Sequence, residues 1–149
     1  MRFAHAAILL SGLLALGLNG CGENSSGGSG LTDVGRGEPI IVDAVMAISV
    51  FEERPDGITD TFNADVNEQI FLWILWNNIE EQHTVEVSWF SPADALEDAP
   101  FWEESQTFTS TTGEKITWFY IDTPADTGEW FVEIHLDGLF ERSHIFWVE

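Results

Sequence analysis

Hydrophobic and polar positions alternate over most of seven segments after residue 38, and turn-forming residues separate these segments. Strict alternation places successive side chains on opposite faces of a β-strand, so each segment is typical of a strand with one buried face. The predicted strands cover residues 40–51, 69–77, 83–90, 105–111, 115–122, 129–136 and 139–148. Seven short strands without helical periodicity predict an all-β domain in which two sheets pack as a sandwich.

The second predicted strand breaks the alternation, because residues 70–76 read IFLWILW without a polar position. One parity of this strand is assigned to the core, so the other parity must leave the core on the opposite face. The same rule directs aromatic residues of other strands outward, and it leaves one tryptophan in a loop. The resulting candidate interaction platform consists of Phe71, Trp73, Leu75, Trp102, Phe119, Phe131 and Trp147.

Three interpretations of this platform remain open. Flat rings that stack on sugars, beside acids that accept hydroxyl bonds, are typical of a glycan-binding surface. A contiguous exposed apolar patch is also typical of a protein interface. In the third interpretation the strand is buried on both faces, beneath residues 92–104. At the start of that segment, Ser91 as N-cap, Pro92 and Asp94 predict a single helical turn.

The last predicted hairpin contains a conflict of register. Asp137-Gly138 is typical of a two-residue hairpin turn. Such a turn would direct the core-like residues Phe146 and Val148 outward, so we expect a one-residue bulge between Glu141 and Ile145. The alternative is a three-residue turn, which would bury two ionisable side chains of the last strand.

Acidic residues dominate the charge of the chain, with 26 Asp and Glu against 5 Lys and Arg and a formal net charge of −21. Such a surface repels phosphate groups, so nucleic acid is not an expected partner. Cations, basic proteins and neutral molecules such as glycans remain as partner classes. An acidic, lysine-poor surface is also typical of proteins from salty surroundings, where it supports solubility alone.

The first 20 residues have the organisation of a bacterial export signal. Arg2 supplies a positive charge, and residues 6–18 are mostly apolar but shorter than the roughly 20 residues of a membrane span. Leu18, Asn19, Gly20 and Cys21 follow, and Cys21 is the only cysteine of the chain. This motif resembles the lipobox of bacterial lipoproteins, in which the cysteine is lipidated and the chain is cut before it. Loss of Arg2 would leave four basic residues against 26 acidic ones, a net charge of −22.

The lipoprotein resemblance implies a lipidated Cys21, a Gly/Ser-rich tether that ends at residue 37, and a folded domain over residues 38–149. Gly22 follows the cysteine in place of the aspartate that retains lipoproteins in the inner membrane, which favours the outer membrane. The domain itself, through VEVSWFSP and TGEWFVEIHLDG, resembles immunoglobulin-like modules of bacterial envelope lipoproteins. That resemblance implies an immunoglobulin-like sandwich and no particular activity.

Candidate chemistry is sparse, and we expect no enzymatic activity. The chain has no G-x-S-x-G element for a nucleophile, and no pair of carboxylates stands out. Asp56, Asp60 and Asp65 could bind calcium from one acidic loop, although their spacing matches no known calcium loop. No other cofactor is expected. The predicted function is a lipid-anchored, non-catalytic binding or structural module of the cell envelope that engages a protein partner. The alternatives are a glycan-binding module and a cation-binding accessory domain.

Overall fold

Nine β-strands form two sheets that pack face to face in this computed structural model, which describes residues 38–94 and 99–149. The strands are β1 (Ile40–Phe51), β2 (Arg54–Ile58), β3 (Thr61–Phe62), β4 (Gln69–Asn77), β5 (His83–Phe90), β6 (Trp102–Phe108), β7 (Lys115–Asp122), β8 (Gly128–Leu136) and β9 (Leu139–Val148). Sheet A has the order β2-β1-β4-β7, and sheet B has the order β3-β9-β8-β5-β6. The predicted two-sheet β-sandwich is therefore confirmed.

Membrane-crossing helices are not found in the part of the chain that the structure describes. After β5, where the sequence predicts a single helical turn, the described residues form a hydrogen-bonded turn at Pro92 and Ala93. The N–H of Asp94 donates to the carbonyl of Ser91 over 3.0 Å, and the Asp94 carboxylate accepts from the Ser91 N–H over 2.8 Å. This reciprocal pair closes one turn, as the sequence predicts.

Two short strands, β2 and β3, are absent from the prediction. Pro55 and Gly57 made β2 resemble a turn, but β2 lies at the edge of sheet A, where a residue without an N–H is tolerated. Gly57 has φ +67°, and an added Cβ would lie 2.9 Å from Cδ1 of Ile48, so the strand requires glycine here. In addition, β6 begins at Trp102, which places this tryptophan in a strand and not in a loop.

The core lies between the sheets and includes one face of IFLWILW, as predicted. Ile70, Leu72, Ile74 and Trp76 are all fully buried. Sheet B contributes the expected inward-facing residues Val85, Val87, Trp89, Trp130, Val132, Ile134 and Leu136.

Strand β7 has the opposite orientation from the predicted one. The prediction directed Phe119 outward, but Phe119 is 1% exposed and belongs to the core. The register explains the reversal, because Phe119 pairs with Leu72 on β4, and cross-strand partners share a face. Thr117 also faces inward, and its hydroxyl accepts a hydrogen bond from Nε1 of Trp76 over 2.9 Å.

The last hairpin contains both the predicted turn and the predicted bulge. Asp137 and Gly138 have φ angles of 51° and 80°, as a two-residue turn of the hairpin type requires. The register then shifts at Glu141, at the start of the expected interval. Because the bulge comes before Arg142, the side chains of Arg142 and His144 lie on the same face as Phe146 and Val148. The sequence predicts this inward orientation only for a three-residue turn. Both side chains are half-buried at the side of the sandwich.

Candidate functional site

The side chains of the candidate platform do not share one surface. Phe119 lies in the core, and the other six divide among three places. The outer face of sheet A carries three residues of β4, namely Phe71, Trp73 and Leu75. The outer face of sheet B carries Phe131 of β8 and Trp147 of β9, and Trp102 lies at the start of β6.

The outer face of sheet A is partly covered by the chain's own β1–β2 turn. Trp73 is only 8% exposed, and its Nε1 donates to the carbonyl of Glu53 in that turn over 2.8 Å. Toward β7 the face opens to solvent, since Trp118, the cross-strand partner of Trp73, is 40% exposed. The β1–β2 turn therefore shields Trp73 from solvent, which explains why this outward position of IFLWILW is apolar.

The outer face of sheet B carries a smaller aromatic patch. Phe131 stacks on Phe90 with ring centroids 4.4 Å apart and planes 7° from parallel. Ile145, opposite Phe131, and Trp147 remain exposed beside this stack. This patch lies on the opposite side of the sandwich from Trp73, so the two do not form one binding surface.

A groove lies between β6, at one edge of sheet B, and β7, at one edge of sheet A. Trp102 and Glu104 pair with Trp89 and Val87 and share their inward parity, yet both are exposed. In the described chain, sheet A contains no further strand beyond β7 that could cover them. The concavity has a volume of about 420 Å³ and is lined by Phe101, Trp102, Glu104, Tyr120, Ile121 and Asp122; we call it the β6–β7 groove.

Two of the three half-exposed aromatic rings in this groove pack against other rings of the domain. The N–H of Phe101 donates to the carbonyl of Trp89 over 2.8 Å, and its ring packs edge-on against Trp130, with centroids 5.1 Å apart. The ring of Tyr120 lies 5.4 Å from that of Phe71. Trp102, the third, belongs to the regular ladder of β6. Ring contacts within the fold thus hold Phe101 and Tyr120, whereas the pairing of β6 with β5 positions the backbone of Trp102.

Two carboxylates complete the lining of the β6–β7 groove. Glu104 projects from β6 and Asp122 from the end of β7. One oxygen of Asp122, Oδ1, accepts a hydrogen bond from Nε2 of Gln69 over 3.2 Å, which orients this carboxylate. Aromatic faces and carboxylates both attract positive charge, so the groove is chemically suited to a cation with an apolar body.

A second concavity, of about 850 Å³, lies at one end of the sandwich near His83. His83 is buried, and its Nδ1 lies 2.7 Å from Oδ2 of Asp137. The hydrogen bond from His83, with a second one from the N–H of Thr84, lowers the pKa of Asp137 below its usual value. These bonds tie the β8–β9 turn to the start of β5, which is a structural role.

A third concavity, of about 410 Å³, lies on the outer face of sheet B. Its lining is polar and includes Glu86, Ser88, Glu103 and His135. Nε2 of His135 lies 3.9 Å from the carboxylate of Glu133, at the limit of an ion pair. No Phe, Trp or Tyr ring lines this surface, which distinguishes it from the β6–β7 groove.

Metal ligands do not converge in the described ranges, where no group of three or more His, Cys, Asp or Glu residues could hold an ion. Asp56, Asp60 and Asp65 lie in β2, between β2 and β3, and after β3, and they do not form such a group. The turn after β3 is built on Asn63, whose Oδ1 accepts the N–H of Asp65 over 2.9 Å. Calcium binding by these three aspartates stays a prediction without a formed site.

Sequence reasoning identified only Trp102 among the residues of the β6–β7 groove. It missed Phe101 and Glu104 because the start of β6 was taken as a loop, although PFWEE already combines aromatic and acidic residues. It missed Tyr120 and Asp122 because the parity of β7 was reversed. Cys21, the predicted lipidation site, lies outside the residues that the structure describes.

Comparison with known proteins gives little similarity. No family model and no curated protein matches the chain. One solved structure that the comparison matches is the Pseudomonas fluorescens alkylpurine DNA glycosylase AlkC bound to DNA containing an abasic site analog, with a TM-score of 0.49 and 11% identity. The match covers 75% of this chain and 30% of that chain, so this chain spans under a third of the glycosylase's length.

The predicted function requires a correction after this comparison. The structural neighbour is an enzyme, whereas the sequence predicted a non-catalytic module of the envelope that engages a protein partner. That prediction is contradicted and is not retained. The activity of the glycosylase is not transferred to this chain either, because a likeness this distant does not carry function.

Proposed function

We propose that this domain binds a small organic cation in the β6–β7 groove. The observation that carries the proposal is the arrangement of three half-exposed rings, Phe101, Trp102 and Tyr120, beside the carboxylates of Glu104 and Asp122. A cation over an aromatic face gains about 0.5–2 kcal/mol, depending on how far the contact excludes water. The two carboxylates add attraction that acts over a longer distance.

Net charge favours a cation over a neutral sugar as the ligand. Aromatic rings stack on sugars as well, so the rings alone do not discriminate between the two. The formal net charge of −21, however, raises the concentration of cations around the molecule and leaves that of neutral molecules unchanged. The carboxylates of Glu104 and Asp122 extend this negative electrostatic potential to the binding surface itself.

Titration with choline tests the proposal, with tryptophan fluorescence as the signal and sodium chloride used to hold ionic strength constant. We expect a saturable change that Trp102→Ala abolishes. Trp147→Ala is the matched control, because Trp147 is 47% exposed against 53% for Trp102 but lies on the outer face of sheet B. This control should bind like the unmodified domain.

Charge is tested with neohexyl alcohol, the neutral carbon isostere of choline, which we expect to bind far more weakly. Equal binding of the alcohol and of choline would contradict the proposal, as would choline binding that survives Trp102→Ala. Saturable binding of cellobiose in the absence of choline binding would favour a sugar ligand instead.

Attachment to a membrane is a separate proposal. We propose that the chain is lipidated at Cys21 and held at the outer membrane, with the domain on a Gly/Ser-rich tether. The sequence Leu18-Asn19-Gly20-Cys21 and the single cysteine support it. Expression with radiolabelled palmitate should label the unmodified chain and leave Cys21→Ser unlabelled. Equal label in both would exclude lipidation at this residue.

A further inference from the structure

The β6–β7 groove presents far more ring surface than hydrogen-bonding groups to a bound cation. Phe101, Trp102 and Tyr120 are each about half-exposed, and Ile121 lies between the strands at 5% exposure. The side-chain acceptors are the Tyr120 hydroxyl and two carboxylates, of which Asp122 already accepts from Gln69. A cation that settles on the rings therefore exchanges water for apolar contact.

Ammonium groups differ in what they lose in such an exchange. A primary ammonium is compact, strongly hydrated and carries three N–H donors, and contact with a ring leaves some of these donors without an acceptor. A quaternary ammonium has no N–H group, so it loses no hydrogen bond on the ring face. Its methyl groups also gain from leaving water, because they bury apolar surface against the rings.

Exposed carboxylates do not reverse this preference. Glu104 and Asp122 are both exposed, so they remain hydrated and attract any cation through its charge. Charge alone raises the affinity of primary and quaternary ammonium ions by similar factors. Discrimination between the two is therefore left to the rings.

We infer that the β6–β7 groove selects quaternary, N-methylated ammonium groups over primary ammonium groups. The inference rests on the proposed function and deepens it, since it names the class of cation. Trp102 is the specificity-determining residue, because its half-exposed ring lines the groove, whereas Phe101 already packs against Trp130 and Tyr120 against Phe71.

The test compares the affinities of methylammonium, dimethylammonium, trimethylammonium and tetramethylammonium chlorides, measured by calorimetry at constant ionic strength. We expect the affinity to rise along the series by about tenfold in total, from the burial of methyl groups and the ring contact. Trp102→Ala should flatten the series. Glu104→Gln should weaken all four ions by a similar factor and preserve their order.

The outcomes separate this inference from the proposal on which it rests. Binding of all four ions with equal affinity, or tighter binding of methylammonium, would overturn the selectivity and leave cation binding in place. No binding of any ion would overturn both. Far-ultraviolet circular dichroism confirms that each variant is folded, and Trp147→Ala serves again as the folded control that should retain the rise.

Discussion

Two tryptophans of the core, Trp76 and Trp89, differ in what their indole N–H groups contact. Both are fully buried. Nε1 of Trp76 donates to the hydroxyl of Thr117 over 2.9 Å, whereas Nε1 of Trp89 has no acceptor among the described residues. A buried donor without a partner costs about 1–3 kcal/mol of stability. The two positions therefore respond differently to the same substitution.

Replacement of each tryptophan by phenylalanine measures this difference. Trp76→Phe removes ring volume and leaves the Thr117 hydroxyl without its donor, whereas Trp89→Phe removes ring volume together with an unpaired N–H. We expect Trp76→Phe to lower the free energy of unfolding by about 1–3 kcal/mol more than Trp89→Phe does. Urea unfolding followed by circular dichroism is the measurement. A loss for Trp89→Phe that equals or exceeds that for Trp76→Phe would contradict the argument.

Asp137 gives the fold a dependence on acidic pH. Its pKa is lowered in the folded state, first by the hydrogen bond from His83 and then by that from the N–H of Thr84. A carboxyl with a lowered folded pKa adds stability above its unfolded pKa of about 3.9, and this stability is lost as pH falls through the folded pKa. Since the side chain is 49% exposed, solvent screens the effect.

Asp137→Asn tests that dependence with little change of shape, because asparagine tolerates the positive φ of 51° at this position. We expect the variant to be less stable than the unmodified domain at neutral pH. The difference between the two should shrink as the pH falls below about 4. Urea unfolding over a pH series would show it, and a difference that stays constant down to the lowest pH would refute the role of the charge.

At the scale of elements, the β1–β2 hairpin acts as a cover for β4. Its turn residues Glu52 and Glu53 have φ angles of 48° and 62°, a left-handed conformation that residues other than glycine rarely adopt. The carbonyl of Glu53 nevertheless accepts from Trp73, which fastens the turn over the outer face. The side chain of Trp73 is thereby buried between the β1–β2 turn and the outer face of sheet A.

Truncations on the two faces of sheet A test this cover. We expect Ile74→Ala, in the core, and Trp73→Ala, beneath the turn, each to lower the free energy of unfolding by about 2–5 kcal/mol. Trp118→Ala is the matched control, because Trp118 is the cross-strand partner of Trp73 but is 40% exposed. It should lose clearly less. If Trp73→Ala lost no more than Trp118→Ala in urea unfolding, the hairpin would not cover this face.

The parity of β-strands could be predicted from the sequence where only one face is hydrophobic. In β5 and β8 the alternation is clear, and the inward residues are the predicted ones. In β7 both parities carry aromatic residues, and the deciding contact, from Trp76 to Thr117, joins positions 41 residues apart. The β6–β7 groove depends on the proximity of two edge strands from different sheets, which no local pattern encodes. This is why only Trp102 of its lining was identified.

At the scale of the whole molecule, most of the negative charge has no basic side chain to balance it. The chain has 26 acidic residues against 5 Lys and Arg, and the ion pairs of the described residues that lie within 4.0 Å both use histidine as the base. Carboxylates on such a surface repel one another, and this repulsion opposes the compact state. Much of the acidic surface therefore depends on salt in solution for its neutralisation.

Salt should stabilise the domain for this reason. We expect the melting temperature to rise between about 10 mM and about 1 M NaCl, as the Debye length falls from roughly 30 Å to roughly 3 Å. Differential scanning calorimetry of the domain without its signal sequence measures it. A melting temperature that is unchanged or falls over this range would show that repulsion among the carboxylates has no net effect on folding.

The parallel pairing of β3 with β9 also sets the order in which the protein can fold during its synthesis. Thr61 and Phe62 pair with Trp147 and Val148, so the partners of β3 are made more than 80 positions after it. Phe62 is fully buried by this pairing, and a loop of such length closes slowly. For most of the time that the ribosome needs to make the chain, this side of the core has no partner. The part of the core around Phe62 is therefore completed only after β9 has been synthesised, and folding of the domain during synthesis cannot finish before that point.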